Sequence, residues 1–246
     1  GMMGLLFRKI TTEAEFRNYH ERLLVPYLVQ EFIDLPLEVS VFYYRMPGEA
    51  RGTITGFVRK EFPHVVGDGR SALDDLMRQH PQARHRLREL RARHAHRLRD
   101  VLPEGERYVL SQALNQTRGG QLVSLAHEKD DRLLAVFDAL SHHAGQFYFG
   151  RYDLKCASVE DLKAGRNFRI LEYNGSGAAP HHVYAGRRSL WEAYGIILHH
   201  WAALARIARL NHARGVPYWE FGRGWEFFKK SQSHLRLLKR LEREVA

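Results

Sequence analysis

The sequence predicts an α+β fold: a largely antiparallel central sheet flanked by helices. Three observations predict it. Residues 37–45 (LEVSVFYYR) and 53–62 are rich in β-branched and aromatic residues and are separated only by the Pro/Gly turn at 46–52, so they make an antiparallel hairpin. A second pair of strand-like runs, 150–155 and 169–174, lies close together further along the chain. Residues 128–143 and 189–212 carry apolar side chains at three-and-four spacing, the period of helices lying on such a sheet.

Taken in order, residues 4–10 (GLLFRKI) read as a strand, followed by Thr11 or Thr12 as the cap of a helix from about Glu13 to Leu24. Residues 26–33 (PYLVQEFI) form an apolar run of strand length, broken at Asp34-Leu35-Pro36. After the hairpin, residues 65–69 make a tight turn, and Ser71 is placed to cap a helix through Met77, with Asp74 completing a capping-box pattern. A basic helix over 84–99 follows, then a short strand over 107–114 and the polar loop 115–120 (NQTRGG). In the helix at 189–212, Trp191, Tyr194, Ile197, Leu198, Trp201, Leu204 and Ile207 form an aromatic-aliphatic stripe of the kind that belongs to a core. Residues 214–217 (RGVP) stop that helix, and a basic terminal helix closes the chain.

Composition narrows the function classes. With 246 residues and 44% hydrophobic side chains the chain can bury a sizeable core, and no run of eighteen apolar residues marks a membrane span, so the expected location is the cytoplasm. The single Cys156 excludes an internal disulfide framework and a cysteine-based zinc site. A formal charge of +10 and a pI near 9.9 invite a nucleic-acid reading, yet much of the charge sits on the two basic helical stretches. A solvated arginine-rich helix face accounts for it better than a nucleic-acid surface, and no membrane partner is expected. The fifteen histidines include the pairs His142-His143, His181-His182 and His199-His200, none with the spacing of a metal motif; His181 and His182 closely follow the strand that ends at Asn174, which leaves open a place facing a substrate pocket, though a loop surface is the better expectation.

The most informative stretch is 150–180. Along a strand, residues i and i+2 share a face, so Glu172 and Asn174 point one way and Leu171 and Tyr173 the other. If residues 151–155 (RYDLK) are the neighbouring strand, Asp153 joins them, and three hard oxygen donors suit magnesium bound with a phosphate ligand. Spacing alone leaves open the simpler alternative of a strand end entering a Gly-rich turn.

Four segments in this order resemble the ATP-grasp superfamily, and within it the carboxylate–amine ligases that include the D-alanine–D-alanine ligases. They are LVQEFI followed by Glu38, Arg59-Lys60 on the returning strand, NQTRGG, and RYD with LEYNG. The resemblance covers about residues 4–184. It implies that the backbone of Gln30, Glu31, Phe32 and Ile33 meets adenine, that Glu38 meets the ribose, and that Lys60, Asn115, Gly119 and Gly120 meet the phosphates. It also implies ATP and Mg2+ as cofactors, with Asp153, Glu172 and Asn174 as metal ligands. Arg151, Lys60 and Arg118 would then be the catalytic cations, Arg151 stabilising the oxyanion of a tetrahedral intermediate.

The implied reaction phosphorylates a substrate carboxylate to an acylphosphate, which an amine attacks to give an amide. Small-molecule carboxylate and amine substrates are the implied partners, and no protein nucleophile is needed. In domain terms the resemblance implies a partial small ATP-grasp lobe over 1–33, a large lobe over 34–184 and a C-terminal helical extension over 185–246. The N-terminal domain and the first part of the small lobe that accompany these segments in the family have no counterpart in the sequence. Three expectations compete: a start assigned too late or a shortened chain, a second copy or complementary chain that supplies them, or a degenerate domain that binds nucleotide or protein without catalysis.

Overall fold

The computed structural model describes residues 5–23, 25–80, 83–110, 120–186 and 188–245. The chain divides into two units, one of residues 35–210 and one formed from the two ends, 1–34 and 211–246.

The larger unit is α+β. The hairpin forms as expected: β1 (Leu37–Tyr44) pairs antiparallel with β2 (Thr53–Glu61). On its other side β1 pairs with β6 (Phe149–Cys156), and β6 with β7 (Phe168–Asn174). A four-residue strand that the sequence reading missed, β5 (Gln121–Ser124), pairs with β2 and completes the antiparallel order β5-β2-β1-β6-β7. At four residues it is too short for a visible alternation, and its place comes from β2's unpaired backbone. Two short strands, β3 (His64–Val66) and β4 (Arg107–Val109), pair apart from the main sheet.

Alternation then sorts the side chains. Val39, Val41, Phe57, Tyr152, Leu154 and Cys156 face one way and are buried beneath α4 (Asp131–His143) and α5 (Val159–Lys163), which contribute Leu133, Phe137 and Leu162. Asp130 caps α4, its carboxylate accepting from the Leu133 amide at 2.8 Å. Burying each such large side chain stabilises by about 1.5–3 kcal/mol, which makes this layer the main source of cohesion. The opposite face is mixed. At one end Phe42 and Phe149 pack against Ala203 and Ile207 of α6 (Leu190–Ala213), while the rest is polar. A smaller core holds β3, β4, α2 (Leu73–Gln79) and α3 (Leu87–Arg93) together through Val65, Leu73, Met77, Leu90, Leu102 and Leu110.

Several expectations are corrected. Ser71 does not cap α2: its hydroxyl donates to Asp68 Oδ2 at 2.7 Å, and Ala72 occupies the cap position with no side-chain bond. Those bonds, from the Ser71 amide first, hold the Asp68 carboxyl down to about 2. The basic stretch is not one helix but a 3-10 turn, α3, and a second 3-10 turn. It contains no Pro or Gly, so the break is tertiary: His94 is buried, with Nε2 against the Leu110 carbonyl at 2.9 Å and Nδ1 against Tyr108 Oη at 2.8 Å. In α6 the stripe is only partly core, since Trp191 and Trp201 are exposed while Ala203 and Ile207 are buried.

In the smaller unit, α1 (Glu13–Arg22) forms with Thr12 and Glu15 as a reciprocal capping box. The strand expected over 4–10 is absent from the described part. Leu6 takes a positive φ of 57°, its amide donates to Glu242 Oε2 at 2.6 Å, and its carbonyl accepts from Tyr19 at 2.5 Å. Side chains thus replace the ladder partners that a strand needs. The run at 26–33 is extended and is no part of a sheet among the described residues, with Leu28 92% exposed. An apolar run becomes a strand only where a sheet edge receives it. Leu6, Leu23, Tyr19, Leu238 and Leu241 form this unit's small core with α7 (Phe221–Val245).

Candidate functional site

The polar face of the main sheet gathers charged residues in adjacent rows. Cross-strand partners in an antiparallel sheet share a face. Glu38 lies opposite Lys60 on one side and Lys155 on the other; Ser40 opposite Asp153; and Phe42 opposite Arg151. Across the next ladder, Asp153 is opposite Glu172 and Arg151 opposite Asn174. A register irregularity between Asp153 and Leu154 lets β7 carry one extra residue, Leu171, between Ile170 and Glu172. Without it Glu172 and Tyr173 would not keep their present faces.

Asp153, only 4% exposed, is the hub. Its carboxylate accepts from Arg151 Nη2 at 3.0 Å, from Asn174 Nδ2 at 3.2 Å and from the Ser40 hydroxyl, and lies 3.3 Å from Lys60 Nζ. Burial pushes its pKa up, but the charges of Lys60 and Arg151 outweigh that, so the carboxyl sits below its ordinary range and is ionised. Lys60 also contacts Glu38 Oε1 at 3.0 Å, and Arg151 Nη1 donates to the Ala179 carbonyl at 2.8 Å, tying the β6 strand to the turn after β7.

His181, in the 3-10 turn His181–Tyr184, adds a group that the sequence reading placed on a loop surface. Its Nδ1 lies 3.3 Å from Ser40 Oγ. Ser40 has one proton and gives it to Asp153, so Nδ1 must carry its own proton and donate, leaving Nε2 as a lone-pair acceptor. Burial first, then the Arg151 charge, lowers the His181 pKa to about 4, which keeps the ring neutral near pH 7. His182 is likewise buried rather than on the surface, at 8% exposure, with its pKa lowered to about 3 by burial and by neighbouring His200. The signal that could have found both is their position directly after the turn that leaves β7.

The structure therefore brings Glu38, Lys60, Arg151, Asp153, Glu172 and Asn174 onto one face, and adds Ser40 and His181. Gln30, Glu31, Phe32 and Ile33 belong to the smaller unit. Asn115, Arg118 and Gly119 lie outside the described residues; Gly120 is buried just before β5.

As a magnesium site the donors are chemically apt: two carboxylates and an amide, all able to offer hard oxygen. Glu172 is exposed, and no hydrogen bond or ion pair to another described residue engages its carboxylate. Asp153, in contrast, has both oxygens engaged by cations and hydrogen-bond donors. Among the described residues no group of three or more His, Cys, Asp or Glu side chains is arranged as a metal cluster, and the carboxylates of this set number two. Also among them, no helix is long and apolar enough to cross a membrane.

In three dimensions the chain is similar to a bifunctional glutathione synthetase from Pasteurella multocida, at 14% sequence identity and a TM-score of 0.47, over 67% of this chain and 25% of that one. The chain thus spans about a quarter of the length of that protein. No protein-family model matches the sequence, and no curated protein does.

Proposed function

We propose that this chain carries the metal- and phosphate-binding half of an ATP-dependent carboxylate–amine ligase of the ATP-grasp kind. One observation carries the reading: Asp153, Glu172 and Asn174 fall on one face of adjacent antiparallel strands, flanked by Arg151 and Lys60. Those residues are the ones the ATP-grasp resemblance assigns to magnesium and to phosphate. In this reading Asp153, Glu172 and the Asn174 amide oxygen hold Mg2+, which when bound neutralises phosphate charge. Arg151, fixed at both ends by Asp153 and the Ala179 carbonyl, offers a positioned cation for an oxyanion. Neutral His181, with Nε2 open as an acceptor, is placed to take a proton from an amine.

Calorimetric titration of the 246-residue chain with ATP, with and without MgCl2, tests it. Binding should need magnesium, and Glu172→Gln should remove the magnesium-dependent part while leaving the fold intact by circular dichroism. Equal binding by wild type and variant sinks the metal assignment.

A second reading is a domain that binds nucleotide or a protein without catalysis. The observation favouring it is the closed network around Asp153, in which Arg151 and Lys60 already neutralise the carboxylate. Magnesium-dependent ATP binding with no ADP formed across a panel of amino acids and dicarboxylates would select this reading over the enzyme.

A further inference from the structure

A second cavity lies on the same face of the sheet, beside the acidic site and separate from it in chemistry. It has a volume of about 630 Å³, within the range of small-molecule sites. Its floor is the first half of β2, and one wall is the first half of α6. Gly195 leaves the wall open, since an added Cβ there would meet nothing within 4 Å, while Gly56 on the floor makes room for the His182 ring, which an added Cβ would strike.

Two cations, Lys129 and Arg188, line this cavity. Each is tethered by one bond to a backbone carbonyl, Lys129 Nζ to Thr55 O at 3.4 Å and Arg188 Nε to His182 O at 3.1 Å. Neither forms an ion pair with any described residue, and a guanidinium held through Nε keeps its remaining N–H groups available. One carboxylate lines the cavity too, but Glu192 Oε2 is engaged by the Ser189 amide and hydroxyl at 2.7 and 2.9 Å. Two cations against one occupied carboxylate leave a net charge of one, which matches a monoanion better than a phosphate dianion.

The interior is neutral. His200 Nδ1 lies 2.7 Å from the Ile196 carbonyl, which can only accept, so Nδ1 bears the proton and Nε2 accepts from the Thr55 hydroxyl at 2.8 Å. His182 is more than nine-tenths buried, and its Nδ1 has no hydrogen-bond partner among the described residues. Ile196 and Ala126 supply apolar lining around these rings. A pocket with cations, neutral imidazoles and apolar walls selects an amphiphile with one charged end.

We propose that this cavity is a binding site for a small organic carboxylate, its head at Lys129 and Arg188 and its apolar body between β2 and α6. The site is independent of ATP and magnesium, so it stands or falls apart from the ligase reading.

The test uses octanoate as the probe, with octylamine and octanol in parallel, titrated calorimetrically into the full chain at low ionic strength. Octanoate should bind and octylamine should not. Each charge-assisted contact is worth about tenfold or more, so the Lys129→Ala/Arg188→Ala double variant, which removes two, should weaken octanoate by about a hundredfold or more. Gly195→Trp, which fills open space rather than displacing a neighbour, should abolish binding while circular dichroism stays unchanged. Glu172→Gln, at the acidic site, should leave it intact. Octylamine binding as tightly as octanoate, or octanoate binding that survives Gly195→Trp or the double variant, overturns the proposal.

Discussion

The two histidines that open the 3-10 turn His181–Tyr184, the first half-buried and the second buried, make stability pH-dependent. His181 faces Arg151, Asp153 and Lys60, and His182 faces His200, Arg188 and Lys129; in both, burial is the largest cause of a lowered pKa, to about 4 and about 3. A histidine in the unfolded chain titrates near 6.5, so between that value and the folded pKa the unfolded chain binds more protons. Stability is therefore full above about pH 7 and is lost as the pH falls from there toward the folded pKa values. At pH 5 both folded-state values are still well below the pH, so the loss depends on the unfolded pKa alone. One and a half pH units at 1.36 kcal/mol each give about 2 kcal/mol per histidine and about 4 for the pair. The assay is urea unfolding followed by circular dichroism at pH 7.5 and 5.0, for wild type and His181→Gln/His182→Gln. His80, another histidine with a lowered pKa, is far from both in the fold and cancels in the comparison. The wild type should lose about 4 kcal/mol more than the variant. Equal losses, within about 1 kcal/mol, would refute the claim that these rings are held neutral by burial.

Two further substitutions probe the frame around the site. Phe137→Ala empties a fully buried position packed on the Tyr152 ring, with centroids 5.2 Å apart, and should cost about 3–5 kcal/mol in the same urea assay. Gly150→Ala would set a Cβ against the Asn174 carbonyl and the Tyr173 ring, so β6 and β7 must part locally. It should destabilise by about 1–3 kcal/mol and weaken magnesium-dependent ATP binding, whereas unchanged amide exchange at Arg151 and Asn174 would show that the strands accommodate it.

What could be read in advance followed from local chemistry. The β1–β2 hairpin was legible because its turn is too short for a crossover, α1 because a threonine cap announces it, and α4 because its apolar residues recur at helical spacing. The pairing of Asp153 with Glu172 was legible as a possibility, since it needs only that two short runs be neighbours. The misses share one cause: a partner distant in sequence decided the outcome. Residues 26–33 have strand composition but join no sheet among the described residues, β5 has too few residues to announce itself but does have an edge, and His94 ends a helix through Tyr108 and the Leu110 carbonyl. The roles of Ser40 and His181 were hidden for the same reason, because their bond spans 141 positions.

The smaller unit is assembled from both ends of the chain, with Leu6 bonded to Glu242 and packed with Leu238 and Leu241. On the ribosome this imposes an order. Everything that the 35–210 unit needs has been made before α7 emerges, and domains fold as units when their residues become available. Residues 5–34 must therefore wait, without their eventual core, while the remainder of the chain is translated. Codon usage or pauses over α7 would then act on residues translated long before it.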